Sequence, residues 1–219
     1  MNLFGCGLPW MLVAVSMLTM AACSGKSDHA PDGGGSTSGG ECDPDAGAAG
    51  PSLLTNGGFE EPAVPLGGFT LFSNGEVFSG WTVMGAVGNV APLSTAFASP
   101  GFSFPAQAGQ QSVDMTGTSD TATGISQTVT TTPGHTYCLS FWVGNVFDPG
   151  GGYGTTSTIN VLVDGKLVSV ATNEDNDTTL SWQQFTSTVH ATGASTAIAF
   201  VNADPVDDSS NFLDSVALR

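Results

Sequence analysis

Two carboxylates stand inside otherwise apolar runs: Glu60 closes Leu53-Leu54-Thr55-Asn56-Gly57-Gly58-Phe59-Glu60, and Asp214 lies within Asn211-Phe212-Leu213-Asp214-Ser215-Val216-Ala217-Leu218. A lone charge in such a run is costly unless something pairs with it. First and last strands of β-sandwiches are commonly neighbours, which would bring the two acids together. Adjacent carboxylates either share a proton or bind a cation. Calcium suits such a place, because it takes about six to eight oxygens and a Gly-Gly turn offers backbone carbonyls freely. The competing reading is an acid solvated at a strand end.

A second set of residues has the chemistry of ligand recognition. Sugar sites combine an aromatic platform with a few polar groups. Trp142 projects from a strand on the face opposite Leu139, and the loop Phe147-Asp148-Pro149-Gly150-Gly151-Gly152-Tyr153-Gly154 carries two aromatics and an acid. Trp142, Phe147, Asp148 and Tyr153 are therefore the candidate ligand-binding residues, set against a reading in which Trp142 packs in the sandwich and the loop only connects strands.

Catalytic signatures are missing. The sequence has no Gly-x-Ser-x-Gly elbow, no His-Glu-x-x-His and no cysteine pair at zinc spacing, and His29, His135 and His190 are isolated. The acidic loops Glu174-Asp175-Asn176-Asp177 and Asp204-Pro205-Val206-Asp207-Asp208 hold enough carboxylates for a glycosidase pair. Solvated turns are the plainer reading of them. The expectation is a non-catalytic domain, with a small carbohydrate-active enzyme as one alternative and an adhesive envelope protein making protein contacts as the other.

The elements that position these residues follow from composition. Asp and Glu number 19 against 3 Lys and Arg, a formal charge of −16. Nucleic acid is excluded as a partner, since its affinity depends on Lys and Arg neutralising phosphates. Residues 1–22 read as an export signal with an apolar stretch from about Leu8 to Ala22, and Met20-Ala21-Ala22-Cys23 resembles a lipobox, which makes Cys23 the lipidation site. An outer-membrane lipoprotein, facing the cell surface or periplasm and held to the membrane through the lipid alone, is the expectation. Residues 23–50 are then a Gly- and Ser-rich tether; its 27 residues after the cysteine span roughly 29 Å as a flexible coil. Cys42 and Cys138 either pair in an oxidising compartment or remain free thiols.

Residues 51–219 form the folded domain. The apolar pattern there has period two, broken by Gly, Pro, Asn and Asp, and nowhere sustains a helical period. Strands are expected over 77–83, 111–116, 125–131, 137–143, 182–190, 197–202 and 212–218. The clearest unit is Thr158 to Val170, two β-rich arms joined by Asp164-Gly165, a strong hairpin signal. About ten short strands in 167 residues predict an all-β, antiparallel β-sandwich of jelly-roll type.

Seven segments occur in the order seen in the choice-of-anchor C family. They are Leu54-Thr55-Asn56-Gly57-Gly58-Phe59-Glu60, Gly80-Trp81-Thr82-Val83, Gly109-Gln110-Gln111-Ser112-Val113-Asp114-Met115-Thr116-Gly117, Gly124-Ile125-Ser126-Gln127-Thr128-Val129, Tyr137-Cys138-Leu139-Ser140-Phe141, Trp182-Gln183-Gln184-Phe185-Thr186 and Phe212-Leu213-Asp214-Ser215-Val216. That family resembles plant cell-wall proteins grouped under a domain of unknown function and classed as galactose-binding-like jelly rolls. More distantly, the opening and closing segments resemble calcium-stapled carbohydrate-binding modules. The resemblance implies a structural Ca2+ held by the Gly58 carbonyl, Glu60 and Asp214, with Gln107 and Gln110 as neutral oxygens from a loop that lacks an acid here. It also implies a glycan or polysaccharide partner, and it places Trp81 and Trp182 in the core and gives Asp114 a structural role.

Overall fold

The computed structural model describes Cys42 and residues 50–219 apart from Asp120 and Asp207. The signal, Cys23 and the rest of the tether lie outside the described residues. Among the described residues there is no helix, and fourteen strands form two six-stranded antiparallel sheets and one small hairpin. The antiparallel β-sandwich read from the sequence is the fold.

The first sheet runs β1 (Phe72–Ser73), β4 (Asn89–Ser94), β7 (Gln111–Asp114), β14 (Phe212–Leu218), β9 (Thr136–Asn145), β12 (Ser181–His190). The second runs β11 (Lys166–Asn173), β10 (Ser157–Val163), β13 (Ser195–Asn202), β8 (Gly124–Thr130), β3 (Trp81–Met84), β2 (Val77–Phe78). The separate hairpin is β5 (Ala98–Ser99) with β6 (Phe102–Ser103). Period two decides which residues meet between the sheets. Leu139, Phe141 and Val143 of β9 are fully buried there with Trp81, Ile125, Ile159, Ile198 and Phe200, as the alternation of β9 predicts. Trp81 is in this core, where its indole N–H donates to the Asn56 carbonyl at 3.0 Å.

The hairpin turns at Asp164 (φ 50°) and Gly165 (φ 76°), the pair of left-handed residues that a tight turn matching strand twist requires. Two expectations change, and one open alternative is decided. Residues 77–83 are two strands, because Ser79 (φ 42°) and Gly80 (φ 99°) reverse the chain between β2 and β3. β4 was not anticipated, since it contains Pro92 and proline disfavours sheet interiors. The Pro92 carbonyl accepts from Thr70 N–H at 3.1 Å, so its ring nitrogen faces the short β1 side and the ladder to β7 is spared. Cys42 and Cys138 form a disulfide, with Cα atoms 5.2 Å apart.

The two ends of the domain are joined as expected, although residues 53–59 form a turn-rich segment in place of a strand. Leu53 N–H donates to the Leu218 carbonyl and Val216 N–H to the Gly57 carbonyl, at 2.9 and 2.8 Å. Any side chain at Gly57 would strike the Val216 carbonyl, which accounts for glycine there.

Candidate active site

The outward face of the first sheet carries the chemistry. Ladder register aligns Ala91 with Asp114, Asp114 with Phe212, Phe212 with Gly144 and Gly144 with Trp182, a row across five strands. Gly144 belongs in that row because a Cβ would meet Leu180, Trp182 and Phe212. Over it lies a second apolar cluster of Leu93, Phe104, Val146, Leu180 and Phe212, with Phe97, Phe102, Tyr153 and Trp182 packed against it. Trp182 is therefore not in the main core; its indole N–H holds the loop by donating to the Pro105 carbonyl at 3.0 Å.

A cavity of about 160 Å³ opens in this cluster. Five aromatic rings line it: Phe69, Phe97, Phe104, Tyr153 and Phe212. Edge-to-face and tilted contacts fix the rings, with Tyr153 5.5 Å from Phe104 and Phe104 5.5 Å from Phe212. Among the described residues one carboxylate faces the cavity, that of Asp114 at the end of β7. Its Oδ1 accepts the Thr116 hydroxyl at 2.6 Å, Thr116 N–H at 2.8 Å and Gly117 N–H at 3.3 Å. Three donors on one oxygen lock its orientation. Phe69, 43% exposed, and exposed Thr118 form the mouth.

Of the four ligand-binding candidates, Tyr153 lines the cavity. Trp142 lies on the same face in the neighbouring row, half-buried and paired with Asp214 and Gln184. Phe147 and Asp148 do not line it. Asp148 shapes the loop, accepting Tyr153 N–H at 3.4 Å and pairing with Gly154. The sequence reading missed Phe69, Phe97, Phe104, Phe212 and the functional placement of Asp114. The available signal was the alternation of β7, which puts Asp114 on the face away from core Val113.

The bookend acids converge on the loop that follows Phe104, a residue of the cavity lining. Asp214 is fully buried; its Oδ2 accepts Gln107 and Ala108 N–H at 3.0 and 3.2 Å, and its Oδ1 accepts Ser215 N–H at 2.5 Å. Glu60 Oε1 accepts Gln110 and Gln111 N–H at 2.9 and 3.1 Å. The Gln107 side-chain oxygen accepts the Ser215 hydroxyl at 2.5 Å, while the Gln110 amide turns back to the Gly109 carbonyl at 3.1 Å. Gly58 sits in the turn closed by Phe59 N–H and the Asn56 carbonyl, beside the Glu60 side chain. Burial raises the Asp214 carboxyl to about 7 against the lowering effect of its three N–H partners, and the Glu60 charge adds to the rise. A buried acid beside another acid, with carbonyl and amide oxygens near, fits a hard divalent cation.

The family model HpiC1-like, described as HpiC1 cyclase, matches residues 51–219. A cyclase from Fischerella sp. TAU, solved in complex with 4-(1H-indol-3-yl)butan-2-one, is 19% identical over 76% of this chain and 96% of that one, with a TM-score of 0.50. The CBM22-1 xylan-binding domain of Paenibacillus barcinonensis Xyn10C is 21% identical over 72% of this chain and 97% of that one, at 0.43. The sugar-binding EclA C-terminal domain is 15% identical; the alignment spans 43% of this chain and 64% of that domain, at 0.36. No curated protein matches in sequence. The family match overturns the expectation of a non-catalytic domain, which rested on missing hydrolase and metalloenzyme motifs that ring-closing chemistry does not use. The chain belongs to the HpiC1-like cyclase family.

Proposed function

We propose that this protein is a cyclase that closes a ring on an apolar substrate bearing an aromatic group, and that the cavity on the outward face of the first sheet is its active site. The observation that supports this is five aromatic rings around a single oriented carboxylate. An engineered apolar cavity of about 150 Å³ takes up benzene, so one of about 160 Å³ suits an aromatic ring system, with the rest of the substrate at the mouth. The indole-bearing ligand of the Fischerella cyclase is of this kind.

Ring closure on an activated carbon develops positive charge. Ring faces attract that charge and exclude the water that would trap it. The Asp114 carboxylate, held by Thr116 and Gly117, stabilises the cation and receives the proton released as the ring is completed. In its acid form Asp114 gives the proton that generates the cation, and the carboxylate so formed takes a proton back as the ring is completed, so the product is an isomer of the substrate. The Tyr153 hydroxyl is the other titratable group of the lining and orients a polar end of the substrate. Turnover of indole-bearing alkenes, followed by mass-neutral conversion, tests the reading: Asp114→Asn should abolish product, and unchanged product would refute it.

Calcium between Glu60 and Asp214, with the Gln107 amide and Gly58 carbonyl, would fix the 107–111 loop and with it Phe104 over the cavity. It would act as a fastener outside the reaction. Lipidation at Cys23 would place the enzyme on an outer membrane, and radiolabelled palmitate incorporation lost in Cys23→Ser checks it. Glycan binding is a second reading, favoured by half-buried Trp142 beside exposed Gln184 on the same face. Affinity electrophoresis in xylan, with and without Trp142→Ala, tests it.

A further inference from the structure

Between Glu61 and Glu76 the chain runs fourteen residues without a charged side chain, in a protein whose formal charge is −16. The stretch lies at the surface, and its largest side chains are exposed there: Leu66 at 87%, Phe69 at 43% and Leu71 at 41%. Exposed leucines are ordinary singly, whereas a run of apolar side chains beside a site marks an interaction surface. Local structure builds this exposure in. Gly68 N–H donates to the Pro65 carbonyl at 2.8 Å and Gly67 takes φ 71°, so Pro65 to Gly68 is a tight turn with Leu66 at its tip. Ser94 clamps the turn to the sheet: its hydroxyl accepts Gly67 N–H at 3.1 Å, and its own N–H donates to the Gly68 carbonyl at 2.9 Å.

Beyond the turn the chain lies along β4, with Phe69 opposite Leu93 and Phe72 opposite Val90. Phe72 packs against the inner core, so alternation puts Phe69 and Leu71 on the outward face, which is the face of the cavity. Phe69 lines the cavity, its ring 5.9 Å from that of Phe97. Leu66, Phe69 and Leu71 therefore make an apolar rim that leads from the turn tip to the entrance.

We propose that this rim docks on a zwitterionic lipid bilayer, with Leu66 inserted at the acyl boundary and the cavity mouth turned to the membrane, so that an apolar substrate passes from lipid to cavity without crossing water. The inference rests on the reading of the cavity as the site of an apolar substrate. Charge selects the occupant. A second copy would bring another formal charge of −16 against the first, and an anionic bilayer would repel the chain in the same way. A protein partner is oriented by a polar rim around an apolar centre. Here the charged groups stop at Glu61 and Glu76, the two ends of the stretch. A zwitterionic bilayer offers an apolar medium with no net charge, and apolar side chains hold interfacial segments to it at a depth of about 5 to 10 Å.

The test is hydrogen exchange, followed by mass spectrometry, on the full chain with phosphatidylcholine vesicles, since it reads local contact whatever else holds the chain to the vesicle. Amides of residues 66–75 should exchange about tenfold more slowly in the wild type than in Leu66→Asp, the order of effect that burying one leucine side chain supplies. Residues 166–172, with Leu167, Val168 and Val170 exposed on the other sheet, should exchange alike in both. Leu71→Asp should repeat the loss, and replacing half of the lipid with anionic phosphatidylglycerol should weaken the protection. Equal exchange at 66–75 in the wild type and both variants overturns the proposal, as does protection that grows with phosphatidylglycerol. Protection that persists without vesicles and rises with protein concentration also overturns it, by assigning the rim to a second copy. Asp114→Asn should keep the protection, so the two readings fail separately: unchanged turnover in Asp114→Asn refutes the active site, and unchanged exchange in Leu66→Asp refutes the docking.

Discussion

Two apolar clusters lie on opposite faces of the same sheet, and they differ in what closes them. The inner one, around Trp81, Phe141 and Phe200, is sealed between two sheets. The outer one, around Phe104 and Phe212, is closed on one side by strands and on the other by loops, and it contains the cavity and the Asp114 carboxylate. A sheet on both sides leaves no room for a ligand. Loops on one side leave an opening, at the cost of needing something to hold the loops. The inner cluster should therefore govern stability and the outer one activity, with the bookend acids linking the two by fixing the 107–111 loop.

The largest effect expected is on the inner cluster. Phe141→Ala should cost about 3 to 5 kcal/mol of unfolding free energy by urea denaturation, the usual range for emptying a buried aromatic site. A loss below about 1 kcal/mol would show that the sheets are not held as described. Asp114→Asn should do the opposite, lowering turnover by about 100-fold or more while stability stays within about 1 kcal/mol. A matching loss of stability would place Asp114 with the fold rather than the chemistry.

Calcium removal joins the comparison to pH. Burial raises Asp214 to about 7 and Asp204 to about 8. A carboxyl raised in the folded state binds more protons there than in the unfolded chain, so stability falls as pH climbs from about 4 through those values. In EDTA the melting temperature should therefore drop between pH 5 and pH 8. Calcium should flatten that slope and raise the temperature at pH 8. A pH-independent melting curve in EDTA would mean that both acids are already neutralised by another group. The smallest effect is expected from Trp142→Ala, half-exposed beside the cavity row, which should change turnover less than tenfold.

The sandwich was legible because period-two alternation is a local signal, as in β9, whose core side reads directly from Tyr137, Leu139, Phe141 and Val143. The adjacency of the chain ends was legible because single acids stand out in apolar runs. The cavity was not. It is made by residues 69, 97, 104, 114, 153 and 212, which belong to different strands and loops and carry no shared spacing; register alone brings them together. Phe97 and Phe104 flank a two-strand hairpin too short to show periodicity. Tyr153 was found because aromatics on a glycine-rich loop are conspicuous. Trp142 was assigned to the right face, but one row away.

The most direct test of the central claim is where a small planar aromatic binds. In a ¹H–¹⁵N NMR titration with indole, the account predicts amide shifts concentrated at Ala91, Asp114, Gly117 and Phe212, with the inner-core amides of Phe141 and Phe200 unmoved. Shifts centred away from that row, or none at millimolar indole, would contradict it.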